Sequence, residues 1–290
     1  MNTNDLKIFE AVAYHGSFTK AAEATFTVQS NVTARIKSLE EEFGADLFVR
    51  SSRKVTLTTA GETLIHYCKQ IGHLVDEAKK EIKKANQISG ELKIGCIETT
   101  MALKVPEILN RFTTAYPDIE LEFKSAMRGG LINDVINYKL DAAFVSGPIN
   151  SPELEQIYIK EEQLVILSSL KNKSLKDVLV AQPLKIIVFD QGCIFRGRLE
   201  AWLSANGIIN YKAIIVNSLE GIINFVEAGL GISILPAELI TEHYASRRLN
   251  TFTIGKETGT MSTLLVYRKN VPQSRALRAF IELYRAELIS

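Results

Sequence analysis

The sequence predicts a multi-domain α/β chain: a helical head that closes on a hairpin, a long connecting helix, and a two-lobed α/β body. Three patterns predict it. Over residues 1–58 apolar side chains recur at helical spacing and then give way to two short β-prone runs. Over 59–88 an apolar 3-4 spacing recurs, with one 4-4 step around Ala78. From Glu91 onward short apolar runs alternate with amphipathic stretches, the texture of βαβ units and of a mostly parallel sheet.

Composition sets the frame. The chain has 290 residues, 46% apolar and 23% charged, close to the globular averages of about 45–50% and about 25%. A disordered, collagenous or mucin-like chain is excluded. The 34 basic residues stand against 33 acidic ones, a net charge of +1. There is no chain-wide basic coat, so any contact with nucleic acid needs a local arrangement of charge. The start places Asp5 where a secretory leader needs basic residues, and no apolar run reaches the roughly 18 residues of a membrane helix. Three scattered cysteines (Cys68, Cys96, Cys193) offer neither a disulfide framework nor a CxxC knuckle. The expectation is a cytoplasmic, reduced protein without membrane contact, cofactor or metal.

In the head, Leu6, Phe9, Val12 and Ala13 mark one helix, which His15-Gly16 ends. Ser17 is suited to cap a second helix, Phe18–Ala24. After a break at Thr25–Thr27 a third runs from Gln29 to Phe43, with Val32, Ile36 and Leu39 inward and Gly44 as its stop. Leu47–Val49 and Val55–Leu57 read as strands flanking the basic turn Ser51–Lys54. Thr59-Ala-Gly-Glu62 fits a capping box for the long helix. Along that helix Leu64, Tyr67, Ile71, Leu74, Ala78 and Ile82 form a seam, read as a dimer interface because the other face is very polar.

In the body, strands are expected at Leu92–Ile97, Ile119–Phe123, Ala142–Val145, Leu164–Leu167, Ile186–Phe189, Ala213–Val216 and Ile232–Leu235. Helices are expected at Val105–Ala115, Ile132–Asn137, Gly197–Asn206 and Leu219–Ala228. About 200 residues of such texture are too many for one small sheet, so two lobes are expected, with ligands at the cleft between them. The boundaries placed on this pattern are 1–58 for the head, 59–88 for the linker helix, 89–161 with 266–290 for lobe 1, and 162–265 for lobe 2.

The second and third helices have the logic of a helix-turn-helix. Ala21, Ala22 and Ala24 permit a close crossing. The third helix carries Gln29, Ser30, Asn31, Thr33, Arg35 and Lys37, and no acid occurs from residue 25 to 39. These side chains pair with base edges or phosphates. Arg50, Arg53 and Lys54 around the hairpin tip suit phosphates or a minor groove. A solvated helix face would share the same spacing.

The head is also recognisable as a set of motifs. Ala21-Ala22-Glu23, Gln29-Ser30-x-Val32-Thr33-x-x-Ile36-Lys37-x-Leu39-Glu40, Gly44-Ala-Asp-Leu47-Phe48-x-Arg50 and Leu57-Thr58-x-Ala60-Gly61 stand in the order and spacing of the LysR-type transcriptional regulators. Gly90-x-Leu92-x-Ile94-Gly95 and Ala228–Pro236 extend the resemblance over the chain. It implies a winged helix-turn-helix, a linker-helix dimer assembling further into a dimer of dimers, and a C-terminal domain built like a periplasmic binding protein. It also implies promoter DNA, a small-molecule effector and RNA polymerase as partners. Carried over by residue, Gln29, Ser30, Thr33 and Arg35 would enter the major groove. Ser17, Thr19, Lys37, Arg50 and Arg53 would meet phosphates or lie near the wing. The chain departs from the family at Val28, where a hydroxyl usually meets a phosphate that Thr27 would take over, and also at Thr25 and Ala34.

The resemblance places the effector between the lobes, at Glu98, Thr99, Thr100, Met101, Arg128, Gly129, Ser146, Cys193, Phe195, Arg196, Ser218 and Glu220. Part of this stands on chemistry alone. Thr99 and Thr100 sit where a strand ends and a helix begins, a setting that favours an anionic group. Arg128 or Arg196 would add a two-pronged contact to a carboxylate or phosphate. Glu98 and Glu220 would pair with those arginines or favour a ligand carrying an amine.

The function this supports is a regulator whose promoter binding and DNA bending are switched by an effector. Alternatives are a solute-binding protein, a cysteine-based redox regulator acting through Cys96 or Cys193, and a constitutive architectural DNA binder. An enzyme is not expected, because the chain lacks G-x-S-x-G, a P-loop, H-E-x-x-H and G-x-G-x-x-G.

Overall fold

The computed structural model describes residues 1–50, 55–83, 88–103, 105–180 and 183–289. The chain forms two compact units, Met1–Gln87 and Ile88–Ser290.

In the first unit, α1 (Thr3–His15) opens on a reciprocal cap. The Asn2 side chain accepts from the Asn4 and Asp5 amides, and the Asp5 carboxylate accepts from the Asn2 amide. Ser17 caps α2 (Phe18–Ala24), and α3 spans Gln29–Phe43. Gly16 at φ 58° and Gly44 at φ 64° end α1 and α3 in the left-handed conformation that glycine adopts without a Cβ penalty. Phe9, Val12, Val32 and Ile36 are fully buried where the three helices meet.

β1 (Phe48–Arg50) and β2 (Val55–Leu57) form an antiparallel hairpin with Phe48 opposite Leu57. Its first strand starts one residue later than expected. The Leu47 amide donates to the Glu40 carboxylate at 3.0 Å, not to the ladder. The turn Ser51–Lys54, with Arg53 and Lys54, lies outside the described residues.

α4 runs from Thr59 to Lys83. Its cap is Thr58 and not Thr59: the Thr58 hydroxyl accepts from the Gly61 amide at 3.0 Å and donates to the Asp46 carbonyl at 2.6 Å. Glu62 is exposed. A Cβ on Gly61 would fall 2.2 Å from the Leu47 carbonyl oxygen, so α4 meets the hairpin closely only because this residue is glycine. The seam also needs correction. Leu64 is 8% exposed inside the head's own core, where Ile71 packs partly, and Cys68 between them is buried too. Tyr67, Leu74, Ala78 and Ile82 stay exposed.

The second unit continues with β3 (Gly90–Cys96), α5 (Glu98–Leu103), α6 (Val105–Ala115), β4 (Ile119–Ser125), α7 (Arg128–Ile136), β5 (Ala142–Ser146) and β6 (Leu154–Ser169). Then come α8 (Leu175–Val180), β7 (Lys185–Val188), α9 (Ile194–Ala205), β8 (Lys212–Ile215), α10 (Leu219–Glu227), β9 (Ser233–Pro236) and α11 (Ala237–His243). β10 (Leu249–Thr253), α12 (Lys256–Gly259), β11 (Thr260–Arg268) and α13 (Arg275–Ile289) complete it.

Two lobes emerge from the pairing. β4, β3 and β5 lie parallel, and β11 joins β5 antiparallel. The first ten residues of β6, Leu154–Gln163, pair with β11, while its end pairs with β9 and β10. β7 and β8 form a parallel pair linked to the second lobe by the Ile186↔Ile232 bridge. The expectation of a mostly parallel sheet is therefore corrected: the ladders of β6 with β11, β9 and β10, and of β11 with β5, are antiparallel. The chain also re-enters lobe 1 near Thr260, not at 266, since β11 is bonded to β5 from Thr263 on. In lobe 1, Phe112, Phe144 and Phe280 pack α6 and α13 on one face of the sheet. Trp202, Ile223 and Leu239 anchor the core of lobe 2.

Candidate functional site

The first site is the outer surface of α2 and α3. Gln29, Ser30 and Lys37 are exposed, with Asn31 and Thr33 half-buried beside them. Thr19 on α2 donates to Gln29 Oε1 at 3.1 Å, which fixes the carboxamide across the two helices. Asn31 donates to the Thr27 hydroxyl at 2.9 Å, and Thr33 donates to the Gln29 carbonyl at 2.9 Å. The α3 N-terminus has no side-chain cap, because Val28 stands at the capping position. Its first amides are left for a partner such as a phosphate. Ser17, by contrast, is occupied as the α2 cap.

Arg35 departs from its expected place. Its guanidinium pairs with the buried Asp5 carboxylate at 2.9 Å, on the α1 side of the helix and off the outer face. Arg50 is exposed at the hairpin, 2.6 Å from Glu40 and 5.2 Å over the Phe18 ring. Glu40, near the far end of α3, thus braces the hairpin from both Leu47 and Arg50.

The second site lies in the Ile88–Ser290 unit. A cavity of about 300 Å³ opens between the lobes, at the lower end of the 300–1,000 Å³ typical of ligand pockets. Lobe 1 supplies Ile97, Glu98, Thr99, Ser125, Ala126, Met127 and Arg128; lobe 2 supplies Phe189, Asp190, Cys193, Ile194, Phe195 and Asn217. The lobes touch directly here, because the Leu219 amide at the start of α10 donates to Glu98 Oε1 at 2.9 Å.

Among the expected residues, Glu98, Thr99, Arg128, Cys193 and Phe195 line this cavity. Thr100, Met101, Gly129, Ser146, Arg196, Ser218 and Glu220 do not. Most are drawn off by local structure. Thr100 and Ser146 are buried behind the wall. Met101 packs in the lobe 1 core, its sulfur 3.8 Å from Cys96, and Gly129 follows Arg128 into α7 with no side chain to contribute. Arg196 pairs with Glu200 at 2.9 Å, and Ser218 caps α10. Glu220 pairs with Arg247 and Tyr244. Arg128 itself is committed to backbone, donating to the Ser146 and Pro148 carbonyls at 2.8 and 2.6 Å. A two-pronged grip on a ligand carboxylate is therefore already used.

Ile97, Ser125, Ala126, Phe189 and Asp190 were not foreseen as wall residues. Phe189 and Asp190 follow β7, and the general rule that ligands sit beyond strand C-termini would have found them. Thr99 Oγ1 is buried at the wall without a partner among the described residues.

The cysteines are not activated. Burial pushes the Cys96 and Cys68 thiols up to about 12. Burial also raises Cys193, against the opposing effect of the Arg196 and Phe195 amides. No group of three or more His, Cys, Asp or Glu that would hold a metal ion occurs among the described residues. None of the described helices is long and apolar enough to cross a membrane.

Comparison with known proteins bears on both sites. A family model described as "Bacterial regulatory helix-turn-helix protein, lysR family" matches residues 3–62, and one described as "LysR substrate binding domain" matches residues 85–289. The uncharacterized HTH-type transcriptional regulator YusT of Bacillus subtilis (strain 168) is 37% identical over 282 residues, 97% of this chain and 95% of that protein. The HTH-type transcriptional regulator SoxR of Arthrobacter sp. (strain TE1826) is 38% identical over 282 residues, 97% of this chain and 96% of that protein. Full-length CbnR in complex with its target DNA superposes with a TM-score of 0.67 at 21% identity, covering 99% of each chain. Full-length BenM gives 0.58 at 22% identity, over 100% of this chain and 97% of that one. At such identities the two solved structures show the fold.

Proposed function

Since the chain belongs to the LysR family of transcriptional regulators and is a DNA-binding regulator with an effector-binding domain, we propose that a small molecule in the inter-lobe cavity switches its hold on promoter DNA. The observation that carries this is the Glu98–Leu219 hydrogen bond. It ties one lobe to the other at the rim of the cavity, so a ligand seated beside it acts on lobe closure. A ligand shifts such an equilibrium only by its different affinity for the two states.

On the DNA side, Gln29, Ser30 and Thr33 read base edges in the major groove, with Thr19 orienting Gln29. Lys37, Asn31, Thr27 and Arg50 position the head on phosphates, and Arg53 and Lys54, outside the described residues, are expected to extend that contact. Two α4 helices pair through Tyr67, Leu74, Ala78 and Ile82, and the dimers associate in pairs. Lobe closure alters the spacing of the paired heads and hence the bend in the DNA. RNA polymerase is the downstream partner, and the setting is cytoplasmic.

The test is selection of bound fragments from sheared genomic DNA by the purified protein at physiological salt. A few promoter sites carrying an interrupted inverted repeat are expected. A constitutive architectural binder would recover fragments without preference, and its affinity would ignore metabolites. Either result would overturn the reading.

A further inference from the structure

The cavity wall states more than that a ligand enters. Its formal charges are two acids, Glu98 and Asp190, against one base, Arg128. Arg128 is turned to the Ser146 and Pro148 carbonyls. A simple anion would therefore face a wall with an excess of carboxylate.

The same wall also holds donors that suit an anion. α7 and α9 point their N-termini at the cavity from opposite lobes, through Met127 and Arg128 on one side and Cys193 to Phe195 on the other. They are 9 and 12 residues long, and no side-chain oxygen caps either. At α9 only the Cys193 sulfur, a weak acceptor, faces the Phe195 and Arg196 amides. Thr99, 1% exposed, brings an independent sign: a buried hydroxyl at the wall with no partner among the described residues. An orphaned buried hydroxyl is costly and asks for a ligand atom. The remaining wall, with Ile97, Phe189 and Ile194, is apolar.

From this juxtaposition we propose that the effector is a small zwitterion of the amino-acid type. Its carboxylate lies at the open N-termini of α7 and α9 with the Thr99 hydroxyl. Its protonated amine faces Asp190 and the free oxygen of Glu98, and its short apolar body rests on Ile97, Phe189 and Ile194. The volume of about 300 Å³ stands at the lower end of the range typical of ligand pockets, which suits a small ligand. The inference rests on the cavity being the effector site.

The test is thermal shift, followed by calorimetry, on the full-length protein. The probes are the common amino acids, with the deaminated carboxylate and the decarboxylated amine matched to each apolar one. At least one amino acid is expected to raise Tm, with both its fragments binding at least about tenfold more weakly, the worth of one charge-assisted hydrogen bond. Asp190→Asn, at an exposed position, is expected to abolish the preference for the amino acid over its deaminated carboxylate. Thr99→Val is expected to weaken both. A carboxylate or an amine that binds as well as the whole amino acid, yet is weakened by Thr99→Val, would overturn the zwitterion and leave the cavity as the site. Binding indifferent to both substitutions would overturn the cavity reading itself. No shift with any amino acid would overturn the ligand class.

Discussion

Asp5 closes the first turn of α1 and also holds Arg35 at 2.9 Å. Its side chain is 9% exposed, whereas that of Arg35 is 44% exposed. The pair is thus anchored on the acid side, and losing the arginine leaves a buried carboxylate short of one partner. Arg35→Ala is expected to lower stability by about 1–3 kcal/mol, the usual cost of leaving a buried acceptor without its partner. The sequences recovered in fragment selection should stay the same. Urea unfolding checks the first outcome and selection the second. Unchanged stability with an altered base preference would return Arg35 to the groove. Val28 is the complementary case. It stands where a capping hydroxyl is favoured, and the uncapped amides of α3 that result are the kind of group a phosphate satisfies.

At the scale of elements, β6 runs through both lobes, and Glu162 sits where it passes from one to the other. It is 5% exposed. Its Oε1 accepts from Thr263 at 3.0 Å and lies 3.6 Å from Lys160, which also pairs with Glu238, while Oε2 has no partner among the described residues. Burial pushes this carboxyl above the ordinary carboxylate range, with Lys160 and Thr263 pulling the other way and Glu238 adding to the rise. The folded state then holds its proton at pH values where the unfolded chain has lost it. Stability from this group is present below the unfolded value near 4.5 and falls as pH rises through the raised value. Glu162→Gln keeps an acceptor for Thr263 and removes the buried charge. It is expected to be more stable than the parent at pH 7 and to lose that pH slope, as thermal unfolding across pH 4–8 would show. A glutamine variant less stable than the parent at pH 7 would mean that the charge itself, paired with Lys160, supports the crossing.

At the scale of the whole molecule, net charge and mean composition conceal local patches, and two of them lie in the first unit. The net charge of +1 hides a head in which the turn after α2 and α3 as far as Leu39 are free of acid, so affinity for DNA is set by a local field. On α4, Tyr67 is 55% exposed, Leu74 40% and Ile82 80%, an apolar line on an otherwise polar face. Leu74→Glu combined with Ile82→Glu is expected to shift the protein toward monomer in sedimentation velocity and to weaken operator binding. Leu64→Ala, at a position spent on the head's core, should instead lower its stability by roughly 2–5 kcal/mol. A double variant that sediments like the parent would remove α4 as the seam.

What the sequence determined by itself is local and periodic. The limits of α2 and α3, the Ser17 cap, the Gly16 and Gly44 stops and the inward face of α3 follow from contacts within a few residues. The order of motifs in the head and body identified the family for the same reason. Tertiary structure decided the rest. The antiparallel core of the sheet depends on β6 pairing with β11 some hundred residues away, which no local period encodes. Leu64 and Tyr67 share one helical repeat, and only the packing of α4 on α1 buries the first and leaves the second exposed. Arg35 and Arg128 have the composition of ligand-binding residues, but Asp5 and two backbone carbonyls reach them first. Asp190 and Phe189 became wall residues when the two lobes came together. A side chain's type is written in the chain, but the partner that claims it is fixed by which groups the fold desolvates side by side.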